Sequence, residues 1–570
     1  MTTANNDRST DAVTFTGLAA GGVYGVQGNE ATTNGASNLG YAAAATAGTV
    51  NISGGTTAGA IVITGTGLTS QTINSTGAAN IVGAITQAAT TTALTVNAST
   101  GLTSTGQMVG AALASIKVAG AASTGPTPTV ANVINAAVNL GTAAATVTTI
   151  DASGMTAGGV SVGLVAAVTS FKGGTGSDVV TSAALTNTTA SIIDAGAGTD
   201  VLIAGAYAHI NTAALAKQYA NFETLDTGAL GGTAVDMALF TNSTITGLAT
   251  GVATAASFSN VTAAQAANVT IYGNQTTTTT IAVKDASVNG NLDTLTLKFN
   301  DGLSAVGSFT VASLVAAGVE TLNVVATDTA TISLLTSSTA LNKITVTGSA
   351  ATSITTGAVA VNANTVVDAS AATGAFTFIG TGATANGYKI TGSATKANAL
   401  TTAALDDILV GGTANDTFTS GAGSNTLTGG GGADNFVLLA NGAVPSATVF
   451  HTITDFSKAA GATTFDTISH VTALILGTQT AAAGAGVATI TAGLATFNTA
   501  DTTFAQHLAA VAAALQTTAG ATAIWQEGAD SYLYIADAVL AVAATDTLVK
   551  LTGVTAGALT VAASAITAIA

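Results

Sequence analysis

"GGTANDTFTSGAGSNTLTGGGGADNFVL", residues 411–438, decides how this chain folds. With the residues just before it, the stretch divides into four nonapeptides: TAALDDILV (402–410), GGTANDTFT (411–419), SGAGSNTLT (420–428) and GGGGADNFV (429–437). The sixth position reads Asp407, Asp416, Asn425, Asp434, and the eighth reads Leu409, Phe418, Leu427, Phe436. The pattern is G-G-x-G-x-D-x-U-x, with U large and apolar. Six residues make a glycine-rich turn, using backbone conformations that glycine adopts cheaply. Three make a short strand whose central side chain points inward. Stacked units bury a column of Leu and Phe and bring turn carbonyls together with the aspartates. Oxygen donors on a flexible loop suit a hard cation such as calcium. Without a cation the aligned carboxylates repel, so folding is expected to be coupled to calcium.

Working outward, composition supports a repetitive β architecture. The chain has 570 residues, 66 Gly, 3 Pro and no Cys; charged residues make up 7% and aromatics 4%. The common residues are Ala, Thr, Gly and Val, of which Thr and Val fit a pleated surface. The net charge of -16, with ten lysines and one arginine scattered singly, offers no basic patch for nucleic acid. With no disulfide available, a bound metal is the expected staple. The first ten residues lack an apolar signal-peptide core, and the uncharged final twenty carry enough Thr and Ser to read as strand and tail rather than a membrane span.

The fold class expected is mostly β: a β-solenoid or stacked β domains, with a calcium-binding parallel β-roll and a small α+β C-terminal cap. Five segments are expected: a Thr/Ala-rich β domain (1–170), a short calcium segment (171–205), a solenoid or sandwich (206–401), the nonapeptide roll (402–437) and the cap (438–570). In the first, apolar bursts such as AIVITG (60–65) and ALTVNAS (93–99) alternate with period two. Residues 123–141 begin as a Pro-containing loop and place Val130, Val133, Ile134 and Val138 at helical spacing. In the third, NFETLDTGAL (221–230) and GVETLNVVATD (318–328) echo each other. In the cap, TFAQHLAAVAAALQT (503–517) puts Phe504, Leu508, Val511 and Leu515 on one helix face, and two strand-like runs follow.

Here the chain resembles the RTX (repeats-in-toxin) family, whose nonapeptides form a calcium-filled parallel β-roll with two nonapeptides per coil. The resemblance implies that Asp416 stacks with Asp434 and Asp407 with Asn425. Because Asn425, Ala414 and Ser420 depart from the pattern, the Asp416/Asp434 side is expected to bind better. Two further copies stand alone: GGTGSDVVT (173–181) with Asp178, and AGAGTDVLI (195–203) with Asp200. The candidate metal residues are therefore Asp407, Asp416, Asn425 and Asp434 with Gly412, Gly421, Gly423, Gly430 and Gly432, plus Asp178 and Asp200 with Gly174, Gly176, Gly196 and Gly198. Segments 451–468 and 524–554 resemble the C-terminal part of type I secreted proteins, which leave the cell in one step on an uncleaved C-terminal signal. The Glu-Thr-Leu strands in Ala/Thr-rich context resemble bacterial surface-layer (S-layer) proteins that carry RTX blocks.

No enzyme is expected. There is no H-E-x-x-H among His209, His451, His470 and His507, and no G-x-S-x-G in a strand-turn-helix context. His451 with Asp455, and His507, read as structural. Trp525, Tyr532 and Tyr534 read as cap core before they read as a sugar platform. The Asn-x-Ser/Thr sequons at Asn51, Asn74, Asn97 and Asn242 carry little weight in Thr-rich sequence. The expected function is a secreted, calcium-dependent, self-assembling surface-layer protein on the bacterial cell surface. Its expected partners are copies of itself and a surface polysaccharide or lipopolysaccharide, with Asp293, Asp301 and Asp328 as exposed carboxylates for calcium bridges. The rivals are an RTX adhesin, an ice-binding protein, which would need a regular Thr ladder, or a filament subunit.

Overall fold

A computed structural model describes every residue except 1–2, 29–32, 126–135, 187–190, 254, 287–291, 304, 337–339, 358–364, 381–386, 458–464, 481–483, 516 and 540. It forms two compact units: Met1–Gln275 with Asn300–Ala305, and Thr276–Phe299 with Val306–Ala570.

The first unit is a parallel β-solenoid. Its early coils have three strands each, as in Ala47–Ser53, Thr57–Ala58 and Ile61–Thr64, followed by Ser70–Thr76, Asn80–Val82 and Ile85–Thr86. Val50, Ile73, Val96 and Val118 are in register and buried, while Thr49, Thr72 and Thr95 alternate with them on the outer side. Asn74 Nδ2 donates to Asn51 Oδ1 at 2.7 Å, and Asn97 Nδ2 to Asn74 Oδ1 at 2.9 Å, each bond spanning 23 residues. Three of the four sequons are thus one asparagine ladder, and their even spacing in the sequence is the coil length. From Val138 onward the coils have two strands, beginning with Thr149–Met155 and Val160–Gly163. Of the helical pattern over 123–141, Val130, Val133 and Ile134 lie outside the described residues. Val138 opens the strand Val138–Thr142.

The second unit is also a parallel solenoid, built on two sheets. One carries Lys343–Gly348, Val366–Asp368, Lys389–Thr391, Ile408–Gly412, Thr426–Gly430 and His451–Ile453 in order. The other carries Thr352–Thr356, Phe376–Gly380, Asn398–Thr402, Thr417–Ser420, Asn435–Leu438 and Thr467–His470. The expected cap is present. The helix Phe504–Leu515 buries Leu508, Val511 and Leu515 against Trp525, Tyr534 and Leu548. Trp525 is 0% exposed, so it is core and offers no sugar platform. The strand Thr547–Leu551 pairs with His451–Ile453, and Ala565–Ile569 pairs antiparallel with Thr467–His470. The last solenoid strand of each sheet is thereby covered by a cap strand rather than left open to recruit another chain. Among the described residues, no helix is long and apolar enough to cross a membrane.

Candidate calcium site

The nonapeptides supply the strands Ile408–Gly412, Thr417–Ser420, Thr426–Gly430 and Asn435–Leu438. Leu409 registers with Leu427 and Phe418 with Phe436, so one coil takes two nonapeptides. All four are fully buried, and the Phe418 and Phe436 rings stack at 5.2 Å. The glycines serve two different ends. Gly423 and Gly432 hold φ of +126° and +113°. Gly421 instead makes room, because a Cβ there would lie 1.4 Å from the Ala403 carbonyl oxygen. Gly412 and Gly430 likewise press on the Ser393 and Gly412 carbonyls of the preceding coil. At the first position of a repeat, a Cβ on Gly411 or Gly429 would reach the carboxylate of Asp416 or Asp434 at 2.3 Å. Ser420 occupies that position in the one repeat whose sixth residue is Asn425.

Leu405 fills the fourth position of the first repeat and carries φ +79°. A side chain in this left-handed region stores strain of about 1 kcal/mol or more. Leu405→Gly is therefore expected to stabilise the folded chain by about 0.5–1 kcal/mol, net of the added freedom of the unfolded chain. A higher denaturation midpoint with unchanged slope would show it; a lower midpoint would place the value of Leu405 in its packing.

The carboxylates form columns. Each accepts a hydrogen bond from the backbone N–H at the matching point of the coil before. Asp434 Oδ1 accepts from Asp416 N at 2.8 Å, Asp416 Oδ1 from Asn398 N at 2.6 Å, and Asp466 Oδ1 from Asp434 N at 2.9 Å. On the other side Asp407 Oδ1 accepts from Tyr388 N at 2.7 Å and Asn425 Oδ1 from Asp407 N at 2.8 Å. Burial pushes Asp407 up to about 6, and burial together with the neighbouring Asp466, Asp416 and Asp455 carboxylates pushes Asp434 up to about 7.

The two sides differ. Asp416 has both oxygens engaged, since Gly412 N donates to its Oδ2 at 2.7 Å. Asp407 Oδ2 is buried and has no hydrogen-bond partner. Asn425 turns its amide Nδ2 to the Gly421 carbonyl at 2.9 Å, and lies 3.3 Å from Nδ1 of the buried His451. Asp455, beside His451 in sequence, accepts from Gly429 N and Gly430 N and so holds the turn that opens the last repeat.

The outlying copies are one column in the first unit. Asp178 Oδ1 accepts from Val160 N at 2.5 Å, Asp200 Oδ1 from Asp178 N at 2.6 Å, and Glu223 Oε2 from Asp200 N at 2.8 Å. Asp178 and Asp200 are fully buried, and Asp200 Oδ2 has no partner. Their 22-residue offset is the length of the coil between them. Gly196 and Gly198 have φ of +87° and +152°, while Gly174 and Gly176 lie against the Met155 carbonyl and the Gly158 backbone. Glu223 was not expected here, nor was Glu320, which accepts from Asp293 N at 2.7 Å. The signal for both was the repeated Glu-Thr-Leu.

Residues 402–436 match the RTX calcium-binding nonapeptide repeat in four copies. This block is calcium-binding RTX sequence. No curated protein matches the chain. The residues present fit a calcium ion: the orphaned, buried Asp407 Oδ2 and the crowded turn carbonyls are oxygen donors of the kind the ion takes. Among the described residues no three His, Cys, Asp or Glu side chains converge, so backbone carbonyls must complete the donor set. The expectation that Asp301 and Asp328 are exposed bridging groups is corrected. They are 7% and 2% exposed, and accept from Leu303 N and Gly307 N. Asp293, too, buries its Oδ2.

Proposed function

We propose that this protein is a secreted structural protein that folds on meeting calcium outside the cell and assembles into a surface layer. The observation that carries the reading is the buried carboxylate column of the RTX block. Such groups are poorly placed in a calcium-poor interior and well placed where a divalent ion is abundant. Bound calcium supplies the positive charge that lets these carboxylates remain ionised in their buried sites. Asp407, Asp416 and Asp434, with Asn425 in a weaker position, would hold it together with the turn carbonyls. The cap, which ends both sheets of its unit, suits a C-terminal secretion signal that folds last. A surface polysaccharide or lipopolysaccharide is the proposed anchor. The role is structural rather than catalytic: His451 and Trp525 are packed into cores, and His507 is held by Glu527 and the Asp501 carbonyl. An ice-binding face is less favoured, because the Thr49–Thr72–Thr95 column runs into Val23 on one side and Lys117 on the other.

The test is negative-stain microscopy of the full chain during calcium titration, with circular dichroism in parallel. A β signal and an ordered sheet appearing together support the reading. A β signal with dispersed particles would sink the surface-layer part and leave the calcium-folding part.

A further inference from the structure

The outer face of the ten-stranded sheet in the first unit carries a charge pattern that the calcium chemistry does not use. Lys117, Asp151, Lys172 and Asp194 stand in register on four successive strands. Their chain neighbours Ile116, Ile150, Phe171 and Ile193 point inward and are buried, so the four charges share the outer side. Lys117, Asp151 and Lys172 are exposed and Asp194 is half-buried. Among the described residues neither lysine closes an ion pair within the chain. Asp151 takes hydrogen bonds from Ser153 N and Oγ on its Oδ1, and Asp194 takes them from Gly196 N and Asn221 Nδ2 on its Oδ1. Each leaves its Oδ2 outside these bonds.

We propose that this face is a contact between two copies of the chain, paired face to face about a two-fold axis parallel to the strands. The order of signs selects the axis. An axis along the column would set lysine over lysine and aspartate over aspartate. An axis along the strands reverses the column, so Lys117 meets Asp194 of the second copy and Asp151 meets Lys172, each pair occurring twice. Read backward, the column is its own complement, as an isologous interface requires.

Steric fit agrees with the same axis. Two residues earlier on each strand the outer column reads Ser115, Thr149, Ser170, Ile192. Reversal places Ile192, which is 60% exposed, opposite Ser115, and Thr149 opposite Ser170. Elsewhere a chain of net charge -16 repels its copies, whereas this column is neutral. With the axis between Asp151 and Lys172, about six strands overlap, or roughly 30 Å at the usual strand spacing. The facing strands share about three residues, or about 10 Å along their length, so the patch is roughly 300 Å² on each copy, below the roughly 1,000 Å² total of a stable solution dimer. The contact is therefore weak singly and gains strength when repeated in an assembly.

This inference rests on the self-assembly reading, and sedimentation of the full chain in calcium separates the two. Wild type is expected to associate at high protein concentration, less so at high salt. An all-acidic column (Lys117→Glu with Lys172→Glu) and an all-basic one (Asp151→Lys with Asp194→Lys) should each associate at least tenfold more weakly, and an equimolar mixture should recover association. If both variants fold and the mixture does not recover while wild type associates, the assembly uses another face and this inference falls alone. If wild type never associates, both readings fall. A neutral column (Lys117→Gln, Asp151→Asn, Lys172→Gln, Asp194→Asn) avoids like-charge strain. Association that survives in it overturns the proposal.

Discussion

Stripped of calcium, the protein is expected to lose stability as the pH rises, and with calcium present the slope should reverse. The cause is the buried carboxylates. Asp434 and Asp200 are pushed up to about 7, and Asp178 and Asp407 to about 6, in each case chiefly by burial. An unfolded aspartate titrates near 3.9. The folded state therefore binds more protons than the unfolded state between roughly pH 4 and pH 7. Its stabilising contribution is complete below about pH 4 and is lost as the pH climbs through the raised values. For Asp434 alone the difference of about three units corresponds to about 4 kcal/mol at most. Calcium favours the ionised form, so protons then compete with it and acid becomes destabilising. Denaturation in chelator and in calcium, at mildly acidic and mildly alkaline pH, should give curves that cross. Chelated protein that grows more stable with rising pH would contradict the carboxylate argument. Asp434→Asn separates the column from general acidic repulsion. It should flatten the chelator profile and weaken the calcium response together.

Phe418→Ala should cost about 3–5 kcal/mol, the usual loss for a large aromatic removed from a core. Phe418 is 0% exposed, stacks on Phe436 at 5.2 Å and registers with Leu400 in the coil before. In a solenoid each coil rests only on its neighbours, so the loss is not shared across a round core. Amide exchange should therefore rise first across residues 398–438. Ile408→Ala is the control. Its side chain is 43% exposed at one end of a roll strand, and the change should stay within about 0.5 kcal/mol. Equal effects from the two substitutions would show that the Leu/Phe column is not what holds the roll.

How much was legible depends on the distance over which each signal acts. The nine-residue period places Asp407, Asp416 and Asp434 and the Leu409 to Phe436 column without any structure, because side-chain direction within a short strand follows from local alternation. The cap helix was legible for the same reason: Leu508, Val511 and Leu515 repeat at helical spacing, and all three are buried. The three-stranded early coils were not. Their 23-residue repeat is carried by Asn51, Asn74 and Asn97, which look like chance sequons until a ladder joins them.

What the sequence determined by itself is the strand and turn alternation, the nine-residue repeat and the oxygen-rich turns that suit calcium; the family resemblance supplied the expectation of two nonapeptides per coil, which the register bears out. Only the tertiary structure decided which acceptor lies over which amide. Glu223 closes the Asp200 column, Asp466 closes the Asp434 column, and Lys117, Asp151, Lys172 and Asp194 fall into one line. These neighbours stand 21 to 34 residues apart, across turns of unequal length. Local propensity does not sense that interval. The register between coils does, because it is set by the parallel backbone hydrogen bonds and by which side chains can share the interior.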